Sequence, residues 1–260
     1  MAQTLRSPLA RVDGWGITAP NLDAAVAAII EKARDGKAFS VFTLNLDHLA
    51  KLRTNEAFRN AYRNADMVTA DGWPVAWLAR WQNRSVERAT GADMLMPLLD
   101  AATNDGLPVF FFGASPETLE KAAKKLDEHS DGLLKIAGML APSIKFDPGG
   151  AEADAAIAKI AASGARLCVV ALGAPKQEIF AQRAREKGLA CGMLCVGAAI
   201  DFVAGSQVRA PGFLRRSGLE WLWRLATNPR RFAWRYAQCA LLLGDILLTP
   251  IRTPAARERI

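Results

Sequence analysis

Six short, nearly uninterrupted apolar runs recur along the chain, and most are followed by a stretch with helical spacing. They are FSVFTLN (39–45), DMVTA (66–70), LPVFFFG (107–113), LLKIAGML (133–140), RLCVVALG (166–173) and ACGMLCVGAAI (190–200). Strands apolar on both sides must be covered on both faces, and alternation with helices makes their sheet parallel. The segments between them supply the cover. Leu49, Leu52, Phe58 and Tyr62 fall near helical spacing within 46–65, which reads as one helix. WPVAWLARW, GADMLMPLLDAAT, SPETLEKAAKKLDEH, AEADAAIAKIAASG and PKQEIFAQRAREKG read as others. The expected class is α/β: a Rossmann-like, mostly parallel sheet flanked by helices. In such sheets ligands bind beyond the carboxyl ends of the strands, so the strand exits are where chemistry is sought.

The alternation stops near residue 205. We expect one α/β domain over 1–204 and a helical appendage over 205–260. Between Gly205 and Ile260 lie ten arginines, no lysine and three acids, a balance of +7 that equals the net charge of the whole chain. The excess positive charge therefore sits entirely in the last fifth. Asn228 and Pro229 supply an N-cap and a first-turn proline for a helix over 229–248, with Phe232, Tyr236, Leu243 and Leu247 on one face. Arginines mixed with Trp221, Trp223, Phe232, Trp234 and Tyr236 suit an interfacial surface on anionic lipid; the same residues could instead pack as a helix pair on the domain. The final TPIRTPAARERI reads as a loose tail.

No run of 18 apolar residues occurs; the best candidate, CALLLGDILL (239–248), is short and holds Asp245. The first fifteen residues lack the apolar centre of a secretory signal. Cys168, Cys191, Cys195 and Cys239 sit in apolar surroundings and read as buried thiols, which implies a reducing compartment, the cytoplasm. Two histidines, His48 and His129, cannot build a His-rich metal site. His48 reads as a helix-face residue and His129 as solvated surface.

At the exits, VTADGW places Asp71 and Gly72 after an apolar strand. A charge there is either a turn residue beside water or a working group, because burying it unpaired is costly. Thr43 and Asn45, on one side of a neighbouring exit, either cap the next helix or face the crevice. GASP and GAPKQE both run Gly-Ala, then proline, then helix, from Gly113 and Gly173. Each sets a helix N-terminus at the ligand edge, which suits a diphosphate or is simply α/β turn chemistry. Lys176, Gln177 and Glu178, in the first turn after the second loop, are expected to face the crevice. Arg88 either pairs with Asp93 or grips a phosphate, and Asp201 either receives ribose or base hydroxyls or caps a turn.

Several motifs are absent or spurious. GWGITA (14–19) matches a dinucleotide fingerprint, but no adequate strand precedes it and no helix opens on it. There is no D-x-D pair to hold a divalent metal and no Walker-type loop. A nucleotide-binding module whose basic tail grips nucleic acid is the rival reading, weakened by the lack of lysine in that tail.

In order along roughly 10–248, TLNLDHL, ADMVTADGWPV, RATGADMLMPLL, FFFGASP, ALGAPKQE, VGAAIDFVAG and RAPGFLRRSGLEWLWRLATNPRRFAWRY resemble the WecG/TagA/CpsF family of bacterial glycosyltransferases. The resemblance implies inverting, metal-independent transfer of a sugar from a UDP-sugar to a polyprenyl-diphosphate-linked sugar in cell-surface polysaccharide biosynthesis. The donor sugar would be N-acetylmannosamine, its uronic acid or glucose. By position, the family's proposed base falls on Asp71, its Thr-x-Asn pair on Thr43 and Asn45, its arginine on Arg88 and its glutamine on Gln177. The arginine-rich segment thought to close over the site and touch the membrane falls on Arg209, Arg215, Arg216, Arg224, Arg231 and Arg235. The implied partners are the UDP-sugar, a lipid-linked sugar acceptor and the inner membrane surface, with no nucleic acid and no cofactor. Trp73, after the Asp-Gly pair, departs from the family pattern and bears on donor or acceptor preference.

Overall fold

The computed structural model describes residues 7–248, apart from the side chains of Arg216 and Arg231; the arginine roles expected for those two, and the tail after 248, lie outside the described residues. The chain opens with a hairpin absent from the expectation above, β1 (Ala10–Val12) and β2 (Trp15–Ile17), paired antiparallel. Asp13 and Gly14 turn it, both with positive φ, so the glycines of GWGITA belong to a hairpin and not to a nucleotide loop.

The six expected strands form one sheet: β3 (Phe39–Leu44), β4 (Met67–Ala70), β5 (Val109–Gly113), β6 (Ile136–Leu140), β7 (Leu167–Ala171) and β8 (Gly192–Cys195). Their order is β4-β3-β8-β7-β5-β6 and every pairing is parallel. β3, β4, β5, β7 and β8 are buried along their whole length, which is why their sequences show no polar alternation. The run 190–200 is strand only to Cys195; Gly197, at φ 61°, turns the chain into the next helix.

The segment 46–65 is two helices, α2 (Leu46–Leu52) and α3 (Glu56–Arg63), because Asn55 starts a new one by accepting from Phe58 N at 2.9 Å. Ahead of the sheet lies α1 (Leu22–Asp35). After β4 come α4 (Trp73–Gln82) and α5 (Gly91–Asn104), and after β5 comes α6 (Pro116–His129). Then follow α7 (Ala151–Ala162), α8 (Lys176–Glu186) and α9 (Ala199–Ala204). One buried cluster joins the hairpin and α2, α3, α4, α7 and α8 to one face of the sheet, while α1, α5, α6 and α9 pack on the other. The chain therefore leaves β3 and its neighbour β8 toward opposite faces, and does the same at β7 and β5. Such divergences open the clefts in which α/β sheets bind ligands.

The remainder is α10 (Gly212–Arg216), α11 (Glu220–Thr227) and α12 (Pro229–Leu248). α12 lies along α2, and its Cys239 and Leu242 are buried, Leu242 within the first core cluster. The appendage is thus seated on the same end of the molecule as the β3 and β4 exits. Among the described residues no helix is long and apolar enough to cross a membrane.

Candidate active site

Asp71 is held from below. Its backbone N–H donates to Leu44 O at 2.8 Å, extending the β3–β4 ladder by one bond, and Gly72 then turns the chain into α4. The partly buried carboxylate accepts from the side chain of Asn45. The two alternatives for Asn45 prove compatible: its oxygen caps α2, accepting from His48 N at 3.0 Å, which leaves the amide nitrogen for Asp71. Burial pushes the Asp71 acid above the ordinary carboxylate range and Glu220 adds to the push; Arg224, the Asn45 hydrogen bond and Arg88 only partly offset it. A carboxylate with raised proton affinity at a crevice mouth is suited to accept a proton.

Thr43 is buried, and what it offers its surroundings is its carbonyl. That oxygen lies 2.7 Å from the Tyr62 hydroxyl and 2.6 Å from His48 Nδ1. A carbonyl can only accept, so both groups donate and the imidazole carries its proton on Nδ1. Burial, the largest influence, lowers the His48 pKa to about 4, and the ring is neutral. His48 is therefore a buried buttress of the β3 exit, tied in by 46–63 folding back on the strand.

Arg88 leads into α5, whose N-cap Thr90 accepts from Asp93 N at 3.0 Å and donates to Asp93 Oδ2 at 2.8 Å. Asp93 gathers three arginines: Arg209 at 2.7 Å, Arg88 at 3.3 Å and Arg215 at 3.7 Å. Its burial works against ionisation, but Arg209, Thr90 and Arg88 outweigh it and the pKa is lowered. Three guanidinium groups share one carboxylate at a helix N-terminus, so the cluster keeps a surplus of positive charge. The Nε–H groups of Arg209 and Arg215 are buried without a partner. Phe202 of α9 has Arg209 over its ring at 5.7 Å and Arg224 at 5.6 Å. Arg224 also binds Glu220, one turn earlier on α11, at 2.9 Å.

The other predicted residues fall as follows. Gly173, at φ 73°, faces open space above the sheet, whereas a Cβ on Gly113 would lie 2.5 Å from Ala171 O. Gly113 is therefore needed for close approach of β5 and β7. Lys176 is drawn aside to Phe146 O at 2.8 Å. Gln177 and Glu178, expected to face the crevice, are 1% and 0% exposed and turn inward. Gln177 shares the sheet-facing stripe of Ala181 and Ala184, a spacing visible in the sequence. Its amide donates to Glu178 Oε1 at 2.9 Å and accepts from Gly197 N at 3.2 Å, so it anchors the β8 exit from beneath. Asp201 lies in the first turn of α9, and its carbonyl oxygen accepts from Ser206 N and Gln207 N. Arg235 pairs with Asp47 of α2 at 2.7 Å, away from the Asp93 cluster. Among the described residues no three His, Cys, Asp or Glu side chains converge as a metal site.

Glu178 gives a test of this floor. Burial pushes its pKa up to about 7, and its Oε2 has no partner. A buried acid with raised pKa holds its proton longer when folded, so stability falls as pH rises from the free value near 4.5 toward 7. The Glu178→Gln variant escapes this loss. Its melting temperature should match the wild type at pH 5 and exceed it at pH 8; equal gaps at both pH values would mean that Glu178 is not the titrating group.

The candidate site thus sets an acid of raised proton affinity in the field of Arg224 and Arg88, with an arginine cluster on Asp93 drawn in part from a segment more than a hundred residues away. The described glycosyl transferase family WecG/TagA/CpsF matches residues 10–255, which include every residue of this constellation. The chain belongs to the WecG/TagA/CpsF family of glycosyltransferases, which act in cell-surface polysaccharide biosynthesis.

Proposed function

We propose that this protein moves a hexose-type sugar from a UDP-sugar to a sugar carried on polyprenyl diphosphate, with inversion and without a metal. Asp71 removes the proton of the acceptor hydroxyl, and Asn45 holds the carboxylate in register. Arg88, Arg209, Arg215 and Arg224, with the N-terminus of α5, receive the charge that develops on the departing diphosphate. Thr43, Gln177, Gly173 and Asp201 shape and anchor the crevice around the donor. The observation that carries the reading is the Asp71 acid, raised by burial, set in the field of Arg224 and Arg88.

The acceptor's lipid requires a membrane, and we infer that the enzyme works peripherally on the cytoplasmic face. Phe213, Trp221, Leu222, Trp234, Leu241 and Leu248 are exposed apolar residues on α10–α12, next to arginines that suit anionic headgroups. Nothing favours nucleic acid. Arg209 and Arg215 are engaged by Asp93, Arg224 by Glu220 and Arg235 by Asp47, which is not a stripe laid out for a phosphate backbone.

The test is a panel of UDP-sugars offered with a short-chain lipid-diphosphate sugar acceptor, with and without chelator. Product of inverted anomeric configuration, unaffected by chelator, is expected with one donor. Loss of activity in chelator and its return with magnesium would remove the metal-free mechanism.

A further inference from the structure

Trp73, the first residue of α4, stands two positions after Asp71. Its indole lies against the backbone of Gly218, where an added Cβ would come within 2.4 Å of the ring and where φ is +78°. The contact is therefore made for glycine. Beside it runs an open groove of about 350 Å³, walled by Trp73, Pro74 and Trp77 of α4 and by Ser217, Trp221 and Leu243 of the appendage. Trp81 continues the same helical face, its ring 4.2 Å from that of Trp77 and 68% exposed. Trp73 and Trp221 are themselves nearly half exposed. An apolar channel of this kind is seldom left bare on a soluble surface.

The groove starts close to the acid in the chain: Trp73 is two residues after Asp71, and Trp221 lies between Glu220 and Arg224, whose charges both act on Asp71. The groove's walls are aromatic and aliphatic. Trp81, one helical turn beyond Trp77, lies between the exposed Arg80 and Arg84 in the chain. An amphiphile that carries a sugar and a hydrocarbon on one diphosphate would bring its sugar hydroxyl to Asp71 and lay its chain along the rings. Resting on the lipid-acceptor reading above, we propose that this groove holds the proximal hydrocarbon chain of the acceptor and that Trp81, Arg80 and Arg84 deliver the chain to the bilayer surface. Indole rings suit a branched, unsaturated chain because they offer wide rigid faces, and their N–H groups sit well at the headgroup level.

The experiment uses the full-length protein, its intrinsic tryptophan fluorescence, and isoprenyl diphosphates of five, ten and fifteen carbons, with inorganic diphosphate as control. Affinity should rise by at least about 10-fold across the series, since every methylene taken from water favours binding. Trp77→Ala should flatten that rise. So should Ser217→Trp, which fills the groove from its exposed rim without removing any packing. Both should leave the affinity for inorganic diphosphate within about 2-fold of wild type. A flat series in the wild type, or an undiminished rise in both variants, would overturn the proposal. So would light scattering showing that the variants dissolve a dimer, since a second copy would then be the occupant. Failure of the transferase reading shows up elsewhere, as absence of turnover with every UDP-sugar, and does not alter the chain-length series.

Discussion

Asp71→Asn is expected to lower transfer by roughly 10²–10⁴-fold while leaving the affinity for UDP within about 2-fold of wild type. The substitution keeps the shape and the hydrogen bond to Asn45 but removes the proton acceptor. Because the base must be ionised to act, kcat/KM falls as pH drops through the Asp71 pKa. Burial and Glu220 raise that pKa, so the acid limb should lie above the ordinary carboxylate range. Glu220→Gln removes one of the two upward influences and should move the limb to lower pH without abolishing turnover. An Asp71→Asn enzyme of full activity, or a profile indifferent to Glu220, would take the base assignment away.

Much of the scaffold was legible because its physics is local. Strands covered on both faces leave uninterrupted apolar runs, and all six sheet strands carry that mark. The hairpin at Ala10–Ile17 was missed because two three-residue strands give no period to read. The break between α2 and α3 was missed although Asn55 marks it, since the apolar spacing ran across it. Asp71 and Asn45 were singled out from their places at strand exits and Arg88 from its place before the helix that Asp93 opens, and the structure puts the charge of Arg88 and the Asn45 amide on Asp71. The inward turn of Gln177 was readable from its spacing to Ala181 and Ala184, but its polarity suggested the opposite. The pairing of Arg209 and Arg215 with Asp93 could not be read from the residues themselves; only the family resemblance set that segment over the site. The pairing depends on how a helical segment folds back over more than a hundred residues, which no local pattern encodes.

That long-range contact carries the second large effect. Arg224→Ala in the full-length chain is expected to reduce kcat by about 10²–10³-fold, the usual cost of removing one donor that meets developing charge in a site shielded from water. Arg224 acts on Asp71 and shares the Phe202 ring with Arg209, so its charge is near both the acid and the cluster around Asp93. The same charge helps keep Asp71 ionised, so its loss should also move the acid limb upward, a shift that simple loosening of α11 would not produce. Ending the chain after Ala204 is the stronger form of the experiment, since Arg209, Arg215 and Arg224 leave together with Leu242, which belongs to the core. Lipid-acceptor turnover and recovery with anionic vesicles should then both vanish, whereas Arg224→Ala should still sediment with vesicles. If Arg224→Ala retained full kcat, diphosphate stabilisation would have to come from the helix N-termini and the remaining arginines alone, and the appendage would be a membrane anchor without a part in the chemistry.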